Sequence, residues 1–361
     1  MKRIAIVGAG NAGSITALYI HNEILEDKEI VIYHSPNDHP IEKVGQGTVN
    51  PILELIHESL GCDWYNNPLE ATIKTGILYE GWGKKQDKIF HPFALHEVAA
   101  HFVPQKLSKT VLESGLFNII EKTIDNPEEE IDADMIFDCR GRHNRDSSNY
   151  DTLINPLNSV LLAHKEGRDP DLTYTRTVAT PNGWTFIIPN LHSVSYGYLY
   201  NDTITSTQVA REDFMNRFRI YQDSLPLSFE NYVAKNMFVG ERTILQGNMY
   251  GFLEPMESTS INLCTHLCEQ AFNEDKVSAN NIMRRIVKEL ETFILWHYQF
   301  GSKYDTKFWE YAKSLPFNPD NKFKSILDGS LTEYGFWQEE SFNNWKDGVY
   351  INPVKAYLGV L

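Results

Sequence analysis

The segment Gly8-Ala9-Gly10-Asn11-Ala12-Gly13 follows the apolar run Ile4-Ala5-Ile6-Val7 and opens a stretch, Ala12 to Leu25, that reads as a helix. No other feature restricts the fold as tightly. In G-x-G-x-x-G the first glycine makes the turn, the second lets a pyrophosphate approach the backbone, and the third lets helix and strand pack closely. The helix N-terminus offers N–H groups and the positive end of its dipole to a diphosphate. A second strand at Glu29 to Tyr33 completes a strand–helix–strand unit, and right-handed crossover makes the sheet parallel. Where an acid usually holds a ribose, at the end of that strand, this chain has His34. Gly8, Gly10, Asn11, Ala12, Gly13 and His34 are therefore candidate dinucleotide-binding positions, with a tight turn that binds nothing as the competing reading.

Composition excludes several partners. The 361 residues are 42% hydrophobic, enough for a substantial core. With 33 basic and 48 acidic side chains the formal net charge is −15, the wrong sign for gripping nucleic acid or an anionic membrane. No apolar run reaches the roughly 18 to 20 residues that span a bilayer. Four cysteines are too few for a disulfide framework, and Met1-Lys2-Arg3-Ile4 leads into a strand with no signal peptide, so a cytoplasmic, reducing location is expected. Cys264 and Cys268 stand one helical turn apart without a second pair at metal-ligand spacing; they read as buried helix cysteines, and no metal is expected. There is no G-x-S-x-G elbow and no Walker A lysine.

Further along, Leu107 to Gly115 ends a helical stretch, and strands are expected at Phe117 to Ile120 and Met135 to Asp138 around the acidic segment Asn126 to Asp132, read as a solvated turn. From Thr173 to Tyr200, β-branched and aromatic residues broken by Pro181-Asn182-Gly183 and Pro189-Asn190 predict an antiparallel sheet. Ser278 is expected to cap a helix with apolar positions Ile282, Ile286, Leu290, Phe293 and Ile294.

Two more glycine segments discriminate between cofactors. Ala133 to Gly141, a hydrophobic strand ending Asp138-Cys139-Arg140-Gly141, resembles a segment late in the nucleotide domain of flavoprotein monooxygenases. Gln246-Gly247-Asn248 is placed like the ribityl-contacting motif of the same superfamily. The three segments in this order point to FAD rather than to a nicotinamide dehydrogenase.

Seven stretches then resemble the tryptophan-halogenase type of flavin-dependent halogenase. Gly251-Phe252-Leu253-Glu254-Pro255-Met256-Glu257-Ser258-Thr259-Ser260-Ile261 is nearly that family's G-F-L-E-P-L-E-S-T-[GS]-I. Gly183-Trp184-Thr185-Phe186-Ile187-Ile188-Pro189 resembles its W-x-W-x-I-P, with Phe186 for the second tryptophan, and Gly197-Tyr198-Leu199-Tyr200 resembles the strand that follows. Val44-Gly45-Gln46-Gly47-Thr48-Val49-Asn50-Pro51 resembles V-G-E-A-T-V-P with Gln for Glu, and Ile73-Lys74-Thr75-Gly76-Ile77 resembles the segment bearing the family's active lysine. Leu295-Trp296-His297-Tyr298 and Asp305-Thr306-Lys307-Phe308-Trp309 are similar to its L-x-H-Y and D-T-x-F-W helices.

The resemblance implies an α/β fold: an FAD-binding, Rossmann-type domain over residues 1–275, interleaved with a substrate-side sheet at about 165–235, and a mainly helical region 276–361 packed on it as one compact unit. It implies that FADH₂ from a separate flavin reductase reacts with oxygen to give a flavin hydroperoxide. Halide (chloride, bromide or iodide) is oxidised to hypohalous acid, and the halogen passes through Lys74 to an electron-rich aromatic or heteroaromatic molecule. Glu257 is the implied carboxylate partner and general base. Thr259 and Ser260 fall where the family binds halide through backbone amides. Val44, Gly45, Gln46, Asp138, Gly141, Gly247, Asn248, Pro255, Ser258 and Ile261 join the first glycine turn and His34 as FAD contacts. Trp184 and Phe186 would separate flavin from substrate, against a reading as plain packed β-core. His91-Pro92-Phe93 resembles the family's substrate-sandwiching H-P-F, although FALHEVAAHF aligns alternatively with the helix before the second glycine site. The chain lacks the long segment that family carries after H-P-F, which implies a more open substrate site, and the clamp for free tryptophan cannot be placed in Phe336 to Pro353. A monooxygenase that oxygenates its substrate directly, and a non-catalytic FAD-binding module, remain the alternatives. Whether the chain assembles as a homo-oligomer is left open.

Overall fold

Lys2–Val7 forms a strand in which Ile4, Ala5, Ile6 and Val7 are all buried, the pattern of a central parallel strand covered on both faces. The computed structural model describes all residues except 26, 37–43, 85–86, 94–96, 143–145, 172, 222–223, 274 and 348–361. The chain divides into two compact units. The first comprises Met1–Ala71, Phe102–Leu153 and Asn231–Val287; the second comprises Thr72–His101, Ile154–Glu230 and the chain from Lys288 onward. This differs from the expected division after residue 275. Each unit is assembled from three chain segments, and the last change of unit falls inside one helix, Lys276–Phe300. Composition marks where elements begin, whereas compact units are set by pairings between segments more than a hundred residues apart.

In the first unit six strands run in the order Phe238–Val239, Thr243–Leu245, Met135–Asp138, Lys2–Val7, Lys28–His34 and Asn118–Glu121. All pairs are parallel apart from the hairpin of the first two. One face carries Ala5, Val7, Val31, Tyr33, Ile124, Ile131, Ala133 and Ile136, and each large apolar side chain buried here contributes about 1.5 to 3 kcal/mol. The acidic segment is not merely a solvated turn. Pro127–Glu130 is a short helix, and Glu128 Oε1 accepts from the backbone N–H groups of Glu241 (3.1 Å) and Arg242 (3.2 Å), so it holds the edge hairpin. Backbone donors left over at the hairpin turn draw the carboxylate in. The long helix is capped one turn earlier than expected, by Asp275 rather than Ser278: Asp275 Oδ1 accepts from Val277 N and Ser278 N, each at 3.1 Å.

In the second unit seven strands run in the order Pro226–Ser228, Ser159–Glu166, Ser193–Tyr200, Gly183–Pro189, Thr175–Thr180, Gly76–Glu80 and Lys88–Pro92. The three strands expected between 173 and 200 pair antiparallel as predicted. The sheet is nevertheless mixed, because Gly76–Glu80 joins Thr175–Thr180 in parallel from about a hundred residues upstream. One face, with Tyr196, Tyr198 and Tyr200, packs beneath the helix Thr207–Phe218 through Ala210 and Phe214. Below residue 348 the helical tail forms an aromatic layer: Phe293 stacks on Trp337 at 3.8 Å, and Trp82 meets Trp309 edge-on at 5.3 Å. Among the described residues no helix is long and apolar enough to cross a membrane.

Candidate active site

The three glycine segments converge at the carboxyl ends of adjacent parallel strands, where α/β folds bind ligands. Val7 is in register with Asp138, and Asp138 with Leu245; Cys139 N donates to Val7 O (2.8 Å) and Gln246 N to Asp138 O (3.0 Å). Each glycine of the first turn has its own reason. A Cβ at Gly8 would lie 2.7 Å from Cys139 O, and one at Gly13 would lie 1.8 Å from Gly8 O, so both are fixed by protein packing. A Cβ at Gly10 would meet nothing within 4 Å. Gly10 therefore borders open space at the start of the helix Asn11–Glu23, which has no side-chain cap. Asn11 Oδ1 is buried beside it without a hydrogen-bond partner. An uncapped helix start, an open glycine and an orphaned acceptor fit a dinucleotide diphosphate with its ribose hydroxyls.

Gly247 closes this crevice. Its φ of +54° is left-handed, and a Cβ there would lie 2.4 Å from Ala12 Cβ, so the helix start rests directly on it. Asn248 follows in a 3-10 turn whose carbonyl accepts from Tyr232 Oη at 2.7 Å. His34 ends its strand, with its carbonyl accepting from Lys122 N. Val44 and Gly45 are buried in the same unit, next to the two-residue strand Gln46–Gly47. Asp138 is buried with both carboxylate oxygens on Arg140, at 2.9 Å from Nε and 2.8 Å from Nη2, while Arg140 Nη1 also donates to Ile124 O at 3.0 Å. Sequence reasoning missed Arg140, although an arginine two residues after a strand-end aspartate was the available signal. Gly141 follows with φ +82°.

The G-F-L-E-P string spans a strand, Gly251–Phe252, a 3-10 turn, Pro255–Glu257, and the helix Thr259–Ala271. Ser258 sits between them in the left-handed region (φ +54°) and places no side-chain cap on the helix. Thr259 is buried, Ser260 and Pro255 are exposed, and Ile261 packs inward. Glu257 is buried to 7% exposure, and Glu254, which the sequence reading did not single out, to 1%. Cys139, Cys264 and Cys268 lie buried in this unit, and burial pushes all three thiols up, Cys264 to about 12.

In the second unit Lys74 ends the strand Thr72–Lys74 at 0% exposure. Gly76 explains the glycine two residues on: a Cβ there would lie 2.3 Å from His91 O. The neighbouring strand pairs Ile77 with His91 and Gly76 with Pro92, and Phe93 N donates to Thr75 O at 2.9 Å. His91 and Phe93 are thus on and just beyond a strand, not a helix, and Lys74 Nζ lies 5.2 Å from the centre of the Phe93 ring. Residues 94–96 lie outside the described residues. Trp184 and Phe186 share a face of Gly183–Pro189; both are buried, and Trp184 Nε1 donates to Tyr298 Oη at 3.0 Å. His101, unremarked in the sequence, is buried on the strand paired with that of Lys74. Among the described residues no cluster could hold a metal ion.

The first unit thus gathers the candidate FAD residues, Glu257, Thr259 and Ser260; the second gathers Lys74, His91, Phe93, Trp184 and Phe186. The fold is that of an FAD-binding α/β protein. Residues 3–114 and 109–353 match the profile of the family described as tryptophan halogenase, and the chain belongs to that family of flavin-dependent halogenases. Over 480 aligned positions it is 22% identical to tryptophan 7-halogenase RebH of Lentzea aerocolonigenes, covering 100% of this chain and 90% of that one. Against tryptophan 6-halogenase ThaL of Streptomyces albogriseolus it is 21% identical, with the same coverage. An alignment of 480 positions against a chain of 361 residues means that RebH carries stretches without a counterpart here. The fold matches that of a tryptophan halogenase from Shewanella frigidimarina with a TM-score of 0.82 at 17% identity, covering 99% of this chain and 92% of that one. BrvH, a flavin-dependent halogenase from Brevundimonas sp. BAL3, matches with a TM-score of 0.78 at 18% identity, covering 100% and 94%.

Proposed function

We propose that the protein is a two-component halogenase that takes FADH₂ from a separate flavin reductase in the cytoplasm and halogenates an electron-rich aromatic or heteroaromatic small molecule. The observation that carries this reading is the completely buried Lys74 beside Phe93. Burying an amine costs several kcal/mol unless it is compensated, so lysines are seldom enclosed for packing alone. Bound FAD, once reduced, supplies the oxygen-activating chemistry through which halide is oxidised. Gly8, Gly10, Asn11, Ala12 and Gly13 would hold its diphosphate, with Gly141, Gly247 and Asn248 along the rest of the crevice.

The backbone N–H groups of Thr259 and Ser260, at the start of an uncapped helix, would bind halide without a positive side chain. Lys74 then holds the hypohalous acid by a hydrogen bond, or its amine takes the halogen as a haloamine while the HO–halogen bond breaks and the oxygen leaves as water; either way it fixes the halogen's direction towards the ring. Glu257 accepts the proton that the ring loses on regaining aromaticity. Trp184 and Phe186 exclude water and keep the oxidant from oxygenating the substrate directly. The absence after His91-Pro92-Phe93 of the long segment that the family carries there is the ground for proposing a more open substrate side.

The test is mass spectrometry on indoles, phenols and pyrroles incubated with the protein, FAD, an unrelated flavin reductase, NADH and air, with chloride, bromide and iodide varied and catalase present. A halide-specific mass shift that requires the protein supports the proposal. Oxygenated products independent of halide would replace it with a direct monooxygenase.

A further inference from the structure

His101 is a completely buried titratable side chain to which the mechanism above assigns no step. It lies on Ala99–Phe102, paired antiparallel with Thr72–Lys74 so that Thr72 faces His101 and Lys74 faces Ala99. Residues opposite each other in an antiparallel pair project to the same side, and positions two apart share a face. Thr72, Lys74, Ala99 and His101 therefore share one face, with the small Ala99 directly across from Lys74.

The hydrogen bonds determine where the imidazole carries its proton. Thr72 Oγ1 donates its only proton to Pro189 O at 2.8 Å. The same oxygen lies 3.2 Å from His101 Nδ1 and can only accept there, so Nδ1 bears the proton. Nε2, 2.9 Å from Thr175 Oγ1, then accepts from that hydroxyl. His101 thus links the lysine strand, through Thr72, to Thr175 on the large sheet. Burial first, and the nearby charge of Lys74 second, hold it well below the usual imidazole range, so it stays neutral.

We infer that His101 is the positioning residue for Lys74: a neutral, Nδ1-protonated imidazole that locks the Thr72–Lys74 strand in place without adding a second cation beside the lysine. This rests on the reading that Lys74 directs the halogen. A lysine strand displaced by even about 1 Å would misplace the electrophile and cost on the order of a hundredfold in transfer. Oxidation of halide does not depend on that direction, so loss of His101 should release hypohalous acid instead of stopping its formation.

The experiment compares wild type, His101→Phe and His101→Asn at equal FADH₂ oxidation, measuring halogenated product and, with a soluble 1,3-diketone trap, released hypohalous acid. The ¹⁵N resonances of the wild-type imidazoles are recorded in parallel. His101→Phe keeps the shape and loses both hydrogen bonds; the ratio of product to trapped acid should fall by about a hundredfold. In His101→Asn the amide Nδ2–H stands in for Nδ1–H towards Thr72 and should restore much of that ratio. Equal ratios in wild type and His101→Phe, or better rescue by Phe than by Asn, would overturn the inference in favour of packing alone. A native imidazole protonated on Nε2, or doubly protonated near neutral pH, would overturn it independently of turnover. Absence of any halogenated product from wild type, with the Nδ1–H form observed, would count against the halogenase reading and leave the His101 clamp standing.

Discussion

Replacing Gly10 with alanine separates what the glycine turn does for the fold from what it does for a cofactor. Gly10 has φ −69° and ψ −168°, extended backbone that any residue adopts, and the added Cβ meets nothing within 4 Å. The protein itself therefore has no objection to the methyl group, and the reduced freedom of the unfolded chain should stabilise the apoprotein by about 0.4 to 1 kcal/mol. If the open side of Gly10 is where the diphosphate approaches, the same methyl group blocks it, and FAD affinity should fall by about a hundredfold, or about 2.7 kcal/mol. Gly13→Ala is the control with the opposite signature, since its Cβ would lie 1.8 Å from Gly8 O. Overpacking of that kind costs about 1 to 3 kcal/mol or more. Urea unfolding of the apoproteins and a fluorescence titration with FAD read the two quantities separately. Unchanged FAD affinity in Gly10→Ala, or a clear loss of its stability, would refute the reasoning.

Glu257→Gln should lower the rate of halogenation strongly while FAD still binds; a folded variant that no longer holds FAD would show the carboxylate to be structural. His101, lowered mainly by burial, and His57, also lowered mainly by burial, take up protons more readily unfolded than folded. Stability should therefore decline as pH drops below about 6.5, with a shallower slope in His101→Phe, as monitored by thermal unfolding. Glu130, held down to about 2 by backbone N–H groups and Lys122, contributes in a lower window, where stability is lost as pH falls from the usual carboxylate range towards that value. All four cysteines are buried, so a thiol reagent at mild pH should label none of them in the native protein and all of them in urea; rapid labelling of native Cys264 or Cys268 would contradict their packing.

The strand–turn–helix at the N-terminus was legible because a short apolar run, three spaced glycines and a helical pattern lie within thirty residues and each constrains the next. The convergence of the second and third glycine segments on the first was legible only as motif order. Its physical basis, Gly8 against Cys139 and Gly247 against Ala12, needs strands more than a hundred residues apart in sequence to be adjacent. The same distance hid the entry of Gly76–Glu80 into the large sheet, which propensity assigned to the antiparallel strands alone. Local rules also failed at two helix starts: Asp275 took the capping role that spacing gave to Ser278, and Glu128 found backbone donors in a hairpin far along the chain. Lys74 stood out through its flanking residues, whereas nothing in Ala99-Ala100-His101-Phe102 marks a histidine enclosed between two threonines. That arrangement depends on the register Thr72 to His101, and register is set by pairing.

The central claim is that Lys74 carries the halogen to the substrate, and the most direct measurement follows FADH₂ reoxidation and halogenated product together in wild type and Lys74→Ala. The account predicts that the variant reoxidises FADH₂ at close to the wild-type rate and forms no halogenated product. Product at the wild-type level from Lys74→Ala, or loss of FADH₂ reoxidation along with the product, would contradict it.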